Sequence, residues 1–196
     1  MTVCIALVKG VNVGGHNRLA MADLRAAVAD IGGTAARTYL QSGNVIFTAD
    51  TDDPVVLADA LEAALSARAA CRGGVVVLSR ERLAGAIAAN PFSKESDPKR
   101  LHLLFRREPL DALQHEAIAR LRERSAAKRL GDELVVAGDA LYLHTPTGMA
   151  NSVLGAGLTG LAAFGLTTAR NFQTTNALLA MAGPDRLGAA GERRAR

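Results

Sequence analysis

The sequence has few aromatic residues and few cysteines, and these shortages exclude several classes of protein. Aromatic residues make up 4% of the 196 residues, and tryptophan is absent. A nucleic-acid surface that stacks bases on aromatic rings is therefore poorly supported. The two cysteines, Cys4 and Cys71, form no CxxC motif and no disulfide framework. We therefore expect a reducing, cytoplasmic compartment, with Cys4 as a small buried apolar residue.

Long apolar runs and metal-binding patterns are also missing. No apolar segment approaches the roughly 18–20 residues of a membrane span, so we expect no membrane partner. The first eight residues lack the basic region and the cleavage site of a signal peptide. The histidines show no HExxH or paired spacing, and no cysteine pair accompanies them. We therefore expect no metal and no cofactor.

Positive charge is distributed unevenly along the chain. The net charge is +4, yet residues 1–70 hold five Lys/Arg against seven Asp/Glu. Residues 99–129 hold nine Lys/Arg against four Asp/Glu. Such a basic region can attract nucleic acid. It is also typical of a solvated helix face, which the i,i+4 pair of Glu116 and Arg120 favours.

Apolar patterns in the first 78 residues follow the order β-α-β-β-α-β. Predicted strands cover 3–8, 36–40, 45–48 and 75–78. A helix covers 20–31, and a second begins at Pro54 with Asp53 as N-cap. The apolar stripe of this second helix comprises Val56, Leu57, Leu61 and Leu65. The order is the ferredoxin-like pattern, in which strands pair as 4-1-3-2.

The remaining residues predict a second half of the same kind. A helix at 79–89, with Ser79 as N-cap, precedes a polar linker. Strands at 101–106, 133–137 and 140–144 flank a helix with the apolar stripe Leu110, Leu113, Ala117 and Leu121. A weaker helix follows at 150–163 and a final one at 171–182. We predict an α+β protein of two ferredoxin-like halves, each an antiparallel sheet with helices on one face. The expected divisions are 1–78 (N-terminal half), 79–99 (helix and linker), 100–183 (C-terminal half) and 184–196 (frayed tail).

Two polar loops that contain glycine form a candidate ligand site. They cover residues 9–18 and 39–44, after the first and second strands. In the predicted topology these strands run the same way with one strand between them, so both loops leave one sheet edge about 10 Å apart. The predicted ligand-binding residues are Lys9, Asn12, Gly14, Gly15, His16, Arg18, Gln41, Ser42, Asn44 and Arg170.

The first loop favours an anionic ligand such as a phosphate-bearing molecule. Glycines between a strand and a helix can direct backbone N–H groups at an anion, and Lys9, His16 and Arg18 add positive charge. However, the loop contains neither GxxxxGK[ST] nor GxGxxG. A positive φ at Gly14 and Gly15 would explain both glycines without a ligand. His16 could act as a general acid or base, but a loop histidine with no partner acid in the sequence more often forms local hydrogen bonds.

The second loop and the last predicted helix offer further contacts. Gln41, Ser42 and Asn44 could orient a ligand, although turn chemistry also explains them. Ser42 lacks a GxSxG elbow and an activating base, so nucleophilic catalysis is not indicated. Arg170 could reach an anion at the N-terminal loops, while Thr168 or Asn171 caps the helix. Whether the site performs chemistry is left open.

Two segments, LVKGVNVGGHNRLAMADLRAAVADIGG…RTYLQSGNVIF and LTTARNFQTTNALLAMAG, resemble the bacterial family known as domain of unknown function 1697. The resemblance implies a two-part α+β fold with ferredoxin-like halves and no established activity. Three positions depart from the family pattern. Lys9 stands where arginine is more frequent, Phe172 where tryptophan is more frequent, and Val153 where lysine is usual. If that lysine binds an anion in relatives, this chain must use another cation or lack the function.

Three functional hypotheses follow. The first is binding of a small anionic ligand at the glycine-containing loops. The second is an RNA- or DNA-binding module that uses the basic region 99–129 or a sheet face. The third is a protein-interaction domain without a ligand. The oligomeric state is left open.

Overall fold

The computed structural model describes residues 1–14, 17–138 and 140–183. It contains two antiparallel sheets of four strands each. The first unit comprises β1 (Thr2–Val8), α1 (Met21–Asp30), β2 (Thr34–Tyr39), β3 (Asn44–Ala49), α2 (Pro54–Ala69) and β4 (Val75–Ser79), followed by α3 (Arg80–Ala88). The second comprises β5 (Leu101–Arg106), α4 (Ala112–Lys128), β6 (Glu133–Ala137), β7 (Ala140–His144), α5 (Val153–Gly160), β8 (Thr167–Asn171) and α6 (Phe172–Ala182). Two ferredoxin-like halves are thus confirmed.

The order of the strands in the first sheet is the predicted one. The sheet runs β2-β3-β1-β4, and β3 is antiparallel to both of its neighbours. The carboxyl ends of β1 and β2 therefore point the same way. The loops that follow these two strands start at the same edge of the sheet, and this edge holds the candidate site.

Helix caps in the first half follow the predicted chemistry. The Asp53 side chain accepts hydrogen bonds from the backbone N–H groups of Val55 and Val56, at 2.9 and 3.2 Å. Pro54 occupies the first helical position, where a missing N–H costs nothing. Val56 was wrongly placed in the apolar stripe, because its side chain is exposed while Leu57 is buried.

The helix α4 begins later than the dipeptide Glu108-Pro109 indicates. Asp111 accepts from the backbone N–H of Gln114, and the Gln114 side chain accepts from the Asp111 N–H, which forms a capping box. The buried residues of the helix are Ile118, Leu121 and Ser125, and Leu113 lies in its first turn. The prediction that Leu113 belongs to the apolar stripe was therefore wrong, since Leu113 is exposed.

The strand β8 was not predicted, and it completes the second sheet. The sheet runs β6-β7-β5-β8, which repeats the strand order of the first half. β8 pairs with β5 in antiparallel register, with Leu103 opposite Arg170. Its sequence, TTARN, lacks the apolar alternation that identifies a strand. Its existence depends on pairing with β5, so Arg170 lies on a strand at the edge of the sheet.

The sheets and helices form five layers. α1 and α2 cover one face of the first sheet, and α4 and α5 cover the outer face of the second. Between the sheets lie α3 and α6, where Leu83 and Leu178 pack against Ile5 and Leu7 on one side and Leu103 on the other. Among the described residues, both faces of the first sheet are therefore covered. This covering leaves the central strands β1 and β3 no free face on which nucleic acid could bind.

Two further expectations concern the cysteines and the membrane. Cys4 and Cys71 are both buried free thiols, as expected for Cys4. In the part of the chain that the structure describes, no helix combines the length and apolar character needed to cross a membrane.

Candidate functional site

The two predicted loops meet, and Asn12 joins them. Its Nδ2 donates to the carbonyl oxygens of Leu19 and Gln41, at 2.9 and 2.8 Å. Its Oδ1 accepts from the Leu19 N–H at 2.9 Å. Asn12 also has a left-handed backbone, with φ of 56°. Its side chain therefore holds the two loops together and has little capacity left for a ligand.

The glycines in these loops have a structural explanation wherever the structure describes them. Gly43 has a φ of 71°, and a Cβ there would lie 2.7 Å from Val11 and 2.9 Å from Val8. The Gly43 carbonyl also accepts from the Val8 N–H at 2.7 Å. Gly14 has a φ of 59°, which favours glycine. The two other predicted residues of the first loop, Gly15 and His16, lie outside the described residues.

Arg170 reaches from the second half into the N-terminal loops, as the sequence suggested. Its Nε donates to Oδ1 of Asn44 at 2.5 Å, and Nη2 donates to the carbonyls of Val8 and Ser42, at 2.9 and 3.0 Å. Nη1 donates to the Thr168 hydroxyl and the Ala169 carbonyl, each at 2.8 Å. All five N–H groups of the guanidinium are therefore occupied by protein acceptors.

The acceptors around Arg170 are neutral, so its charge is not compensated locally. No hydrogen bond or ion pair joins the guanidinium to a carboxylate of the described chain. Burial lowers the pKa of the Arg170 guanidinium to about 10. Asn44 is fully buried and also donates to the Tyr39 carbonyl and the Ser42 hydroxyl. Asn44 thus positions Arg170 and is not accessible to a ligand.

A cleft of about 590 Å³ lies between the halves, where the end of β1 faces β8. Its lining includes two cations, Lys9 and Arg170, and no aspartate or glutamate. The other lining residues are Val8, Gly10, Val11, Val13, Leu40, Ser42, His102, Met149, Thr159, Thr167, Thr168, Ala169, Asn171 and Thr174. Lys9 is partly buried, and this burial lowers the pKa of its amine. Its ammonium contacts no acceptor or carboxylate among the described residues.

The remaining predicted residues lie in a separate, shallower groove. It has a volume of about 570 Å³ and is lined by Asn12, Arg18, Leu19, Ala20, Asp23 and Gln41. The carboxylate of Asp23 shares this groove with Arg18, which reduces its net positive charge. The structure therefore divides the predicted set. Lys9, Ser42 and Arg170 line the cleft, whereas Arg18 and Gln41 line the groove.

Several cleft residues from the second half were missed in the sequence. They are His102, Thr168, Asn171 and Thr174, which lie on β5, on β8 and in the first turn of α6. Thr168, Asn171 and Thr174 lie in the segment LTTARNFQTTNALLAMAG that carries the family resemblance, but no known binding or catalytic motif marks them. The available signals were that segment and Arg170, since a site that includes Arg170 must also include its neighbours on β8. Without the prediction of β8, the faces of these neighbours could not be assigned.

The junction between the halves contains a second arrangement like that of Arg170. Arg170, on β8, donates to the carbonyl of Val8, the last residue of β1. Arg82, just after β4, donates from Nη2 to the carbonyl of Arg106, the last residue of β5, at 3.0 Å. In each case an arginine near the fourth strand of one half contacts the end of the first strand of the other half.

The next residue in each half shows how the two junctions differ. Lys9 follows β1 and has no acidic partner in the described chain. Arg107 follows β5, and it forms ion pairs of 2.6 Å with Asp59 and with Glu62. It also donates to the Val75 carbonyl at 2.6 Å. The cation at the second junction is thus neutralised, whereas the cation at the cleft is not.

Much of the positive charge of region 99–129 is used within the protein. Arg106 is buried and donates to Thr167 and Gln114, and Arg122 donates to the Leu134 carbonyl. The ion pair of Arg120 with Glu116 measures 3.7 Å and is exposed. The burial of Arg106 and the carboxylate partners of Arg107 and Arg120 reduce the exposed positive charge that this region could offer to nucleic acid. The described residues also contain no group of three His, Cys, Asp or Glu side chains that could hold a metal ion.

Comparison with known proteins identifies the family. The profile of the family described as protein of unknown function (DUF1697) matches residues 1–142, which is most of the chain. The chain belongs to the DUF1697 family. The family description assigns no activity, and no curated protein matches this chain. The functional argument therefore depends on the site of this DUF1697 protein itself.

Two solved structures are similar to this DUF1697 protein. One is the conserved bacterial protein SP0830 from Streptococcus pneumoniae, with 24% identity and a TM-score of 0.68. The match covers 92% of this chain and 98% of SP0830, and it supports the fold alone. The other is an unknown protein from Galdieria sulphuraria, with 15% identity and a TM-score of 0.27 over 92% of this chain and 91% of that one.

Proposed function

We propose that this DUF1697 protein binds a small anionic, phosphate-bearing ligand in the cleft between its halves. The observation that supports this proposal is the charge of the lining, which, as far as the structure describes the chain, includes Lys9 and Arg170 and no carboxylate. The volume of about 590 Å³ is within the range of small-molecule sites. The proposal concerns binding, and it assigns no reaction.

The two cations have different roles in this proposal. Arg170 has no free N–H, so it contributes its charge and the placement of the loops rather than a contact. Lys9 has no partner among the described residues, and its ammonium offers three donors to ligand oxygens. Because burial disfavours the Lys9 cation, a bound anion would recover electrostatic energy that the free protein lacks.

The second junction supports this interpretation by contrast. Arg107 occupies the position equivalent to Lys9, and its two ion pairs show how this fold neutralises a cation that has only a structural role. No such carboxylate faces Lys9 in the described chain. An external anion is the simplest group that would complete the cleft.

The test is binding of phosphate-bearing metabolites, measured by thermal shift and then by calorimetry at two salt concentrations. Lys9→Met removes the ammonium and keeps the apolar stem. We expect it to weaken binding by about tenfold, as loss of a charge-assisted hydrogen bond predicts. Lys94→Met is the matched control, because Lys94 is exposed and lies outside the cleft. Arg18→Ala tests the separate groove.

The possible results separate the hypotheses. Weaker binding in Lys9→Met with normal binding in Lys94→Met supports the cleft. An equal loss in both lysine variants, or a loss only in Arg18→Ala, contradicts it. A response to oligonucleotides alone, which disappears between about 50 and 200 mM salt, would indicate phosphate-backbone binding instead.

A further inference from the structure

Thr174 carries a polar group in the cleft that no protein contact satisfies. It is 7% exposed, lies in the first turn of α6 and lines the cleft. Its backbone N–H donates to the Asn171 side chain at 2.8 Å, but its hydroxyl has no hydrogen-bond partner in the described chain. The side chain is largely buried, yet its hydroxyl engages no acceptor of the described chain and belongs to the cleft lining. It is therefore available to donate to a ligand atom in the cleft.

Two neighbouring side chains add unoccupied hydrogen-bonding groups. Asn171 accepts through Oδ1, and its Nδ2 donates to no described residue. His102 lies opposite Asn171 in the register of β5 and β8, so both side chains lie on one face. Its Nδ1 is buried without a hydrogen-bond partner. Three polar side chains with unused capacity thus surround the start of α6.

The helix itself favours negative charge at this place. α6 has 11 residues, and the aligned peptide dipoles of a helix give its N-terminus a partial positive charge. Asn171, at its N-cap, and Thr174 both line the cleft. A helix N-terminus alone would not indicate a ligand. The independent observation that does is the Thr174 side chain, which is 7% exposed, lines the cleft and has a hydroxyl that no described residue engages.

We propose that the anionic group of the ligand binds at the N-terminus of α6, where Thr174 and Asn171 donate to its oxygens and Lys9 supplies charge. This inference rests on the proposed function and specifies its ligand further. The apolar side chains Val13 and Leu40 line the same cleft and are exposed, at 68% and 58%. The ligand class that fits is a phosphate monoester with an apolar body.

The experiment compares inorganic phosphate with phenyl phosphate by calorimetry. Phenyl phosphate should bind more tightly, because its ring can cover exposed apolar surface. Thr174→Val removes the hydroxyl at nearly constant shape and should weaken both probes by about tenfold. Thr174→Ser keeps the hydroxyl and should bind within about twofold of the wild-type protein.

Thr175→Val is the matched control, because Thr175 is the next residue of α6, is buried and does not line the cleft. The Thr175 hydroxyl already donates to the Phe172 carbonyl at 2.9 Å, so its removal should leave phosphate affinity unchanged. Far-UV circular dichroism and melting temperature establish that each variant is folded. Equal losses in the two valine variants would overturn the role of Thr174, because the effect would then be structural.

The remaining outcomes separate this inference from the proposed function. If Lys9→Met weakens phosphate binding and Thr174→Val does not, the proposed function stands and the α6 site is wrong. If phenyl phosphate binds no more tightly than inorganic phosphate, the inference that the ligand carries an apolar body is wrong. If neither probe binds the wild-type protein, both proposals fail.

Discussion

Replacing Arg170 by methionine should destabilise the protein, although it removes a buried charge. The guanidinium donates to five acceptors, and three of them, on Asn44, Val8 and Ser42, belong to the N-terminal half. Methionine keeps an apolar stem of similar length and contributes no donor. The variant therefore leaves without a donor the acceptors that now connect β8 to the ends of β1 and β2.

Two opposing contributions determine the size of this effect. Each buried acceptor that loses its donor costs about 1–3 kcal/mol, and Asn44 Oδ1 and the Val8 carbonyl lie on buried residues. Their combined cost is about 2–6 kcal/mol. In the opposite direction, a pKa of about 10 for Arg170 means that burial disfavours its charged form by about 3 kcal/mol. The variant also removes the donor from three further acceptors, on Ser42, Thr168 and Ala169, so we take a loss of about 5 kcal/mol, near the upper end of that range. The net destabilisation is then about 2 kcal/mol.

The measurement is urea unfolding followed by far-UV circular dichroism, since the chain has no tryptophan. For a chain of this length, 2 kcal/mol corresponds to a decrease in melting temperature of about 4–8 °C. Arg170→Lys gives a second comparison. Lysine keeps the desolvated charge but cannot reproduce the five donors, so it should be no more stable than methionine. An unchanged Arg170→Met variant, or a lysine variant with full stability, would refute this account of the junction.

Two further predictions concern buried or paired groups away from the cleft. Burial, with a smaller effect of Asp52, raises the pKa of the Cys4 thiol from 9.0 to about 11. Between pH 9 and 11 the unfolded chain binds fewer protons than the native one, so the free energy of unfolding should fall by about 1.4 kcal/mol per pH unit. Urea titrations at several pH values should show a smaller slope for Cys4→Ala than for the wild-type protein. An equal slope in the two proteins would contradict the prediction. Arg107→Met should cost about 1 kcal/mol, because the two ion pairs that it removes involve the partly exposed carboxylates of Asp59 and Glu62. Calorimetry should find its phosphate affinity unchanged, and a loss of affinity would assign the two junctions the same role.

The parts of the fold that could be predicted are those in which local sequence and packing agree. The strands β1, β3 and β4 are continuous apolar runs, and Asp53-Pro54 is a helix start with a known mechanism. β8 could not be found in this way, because its residues are polar or small and its hydrogen bonds come from β5. Leu113 shows the same limit, since tertiary packing buries Ile118 and Leu121 of this helix and leaves Leu113 exposed.

The candidate site shows a similar division. The convergence of the two N-terminal loops follows from strand order alone, and the reach of Arg170 could be suggested from its charge. The use of Asn12 and Asn44 as internal donors and acceptors could not, because their partners are backbone atoms distant in sequence. Thr174 could not be identified either, since a threonine in the first turn of a helix needs no functional explanation.

The repeated strand order of the halves makes the contrast between their junctions informative. Both junctions place an arginine against the last carbonyl of a first strand, and both put a basic residue immediately after that strand. Packing therefore requires the arginine contact in each half, and such a contact cannot by itself be evidence of binding. The junctions differ in how the positive charge is neutralised. Asp59 and Glu62 neutralise Arg107, whereas no carboxylate of the described chain neutralises Lys9. A purely structural cleft would have no reason to leave Lys9 partly buried and unpaired beside Arg170. The unequal charge of two otherwise equivalent junctions thus favours an anionic ligand at only one of them.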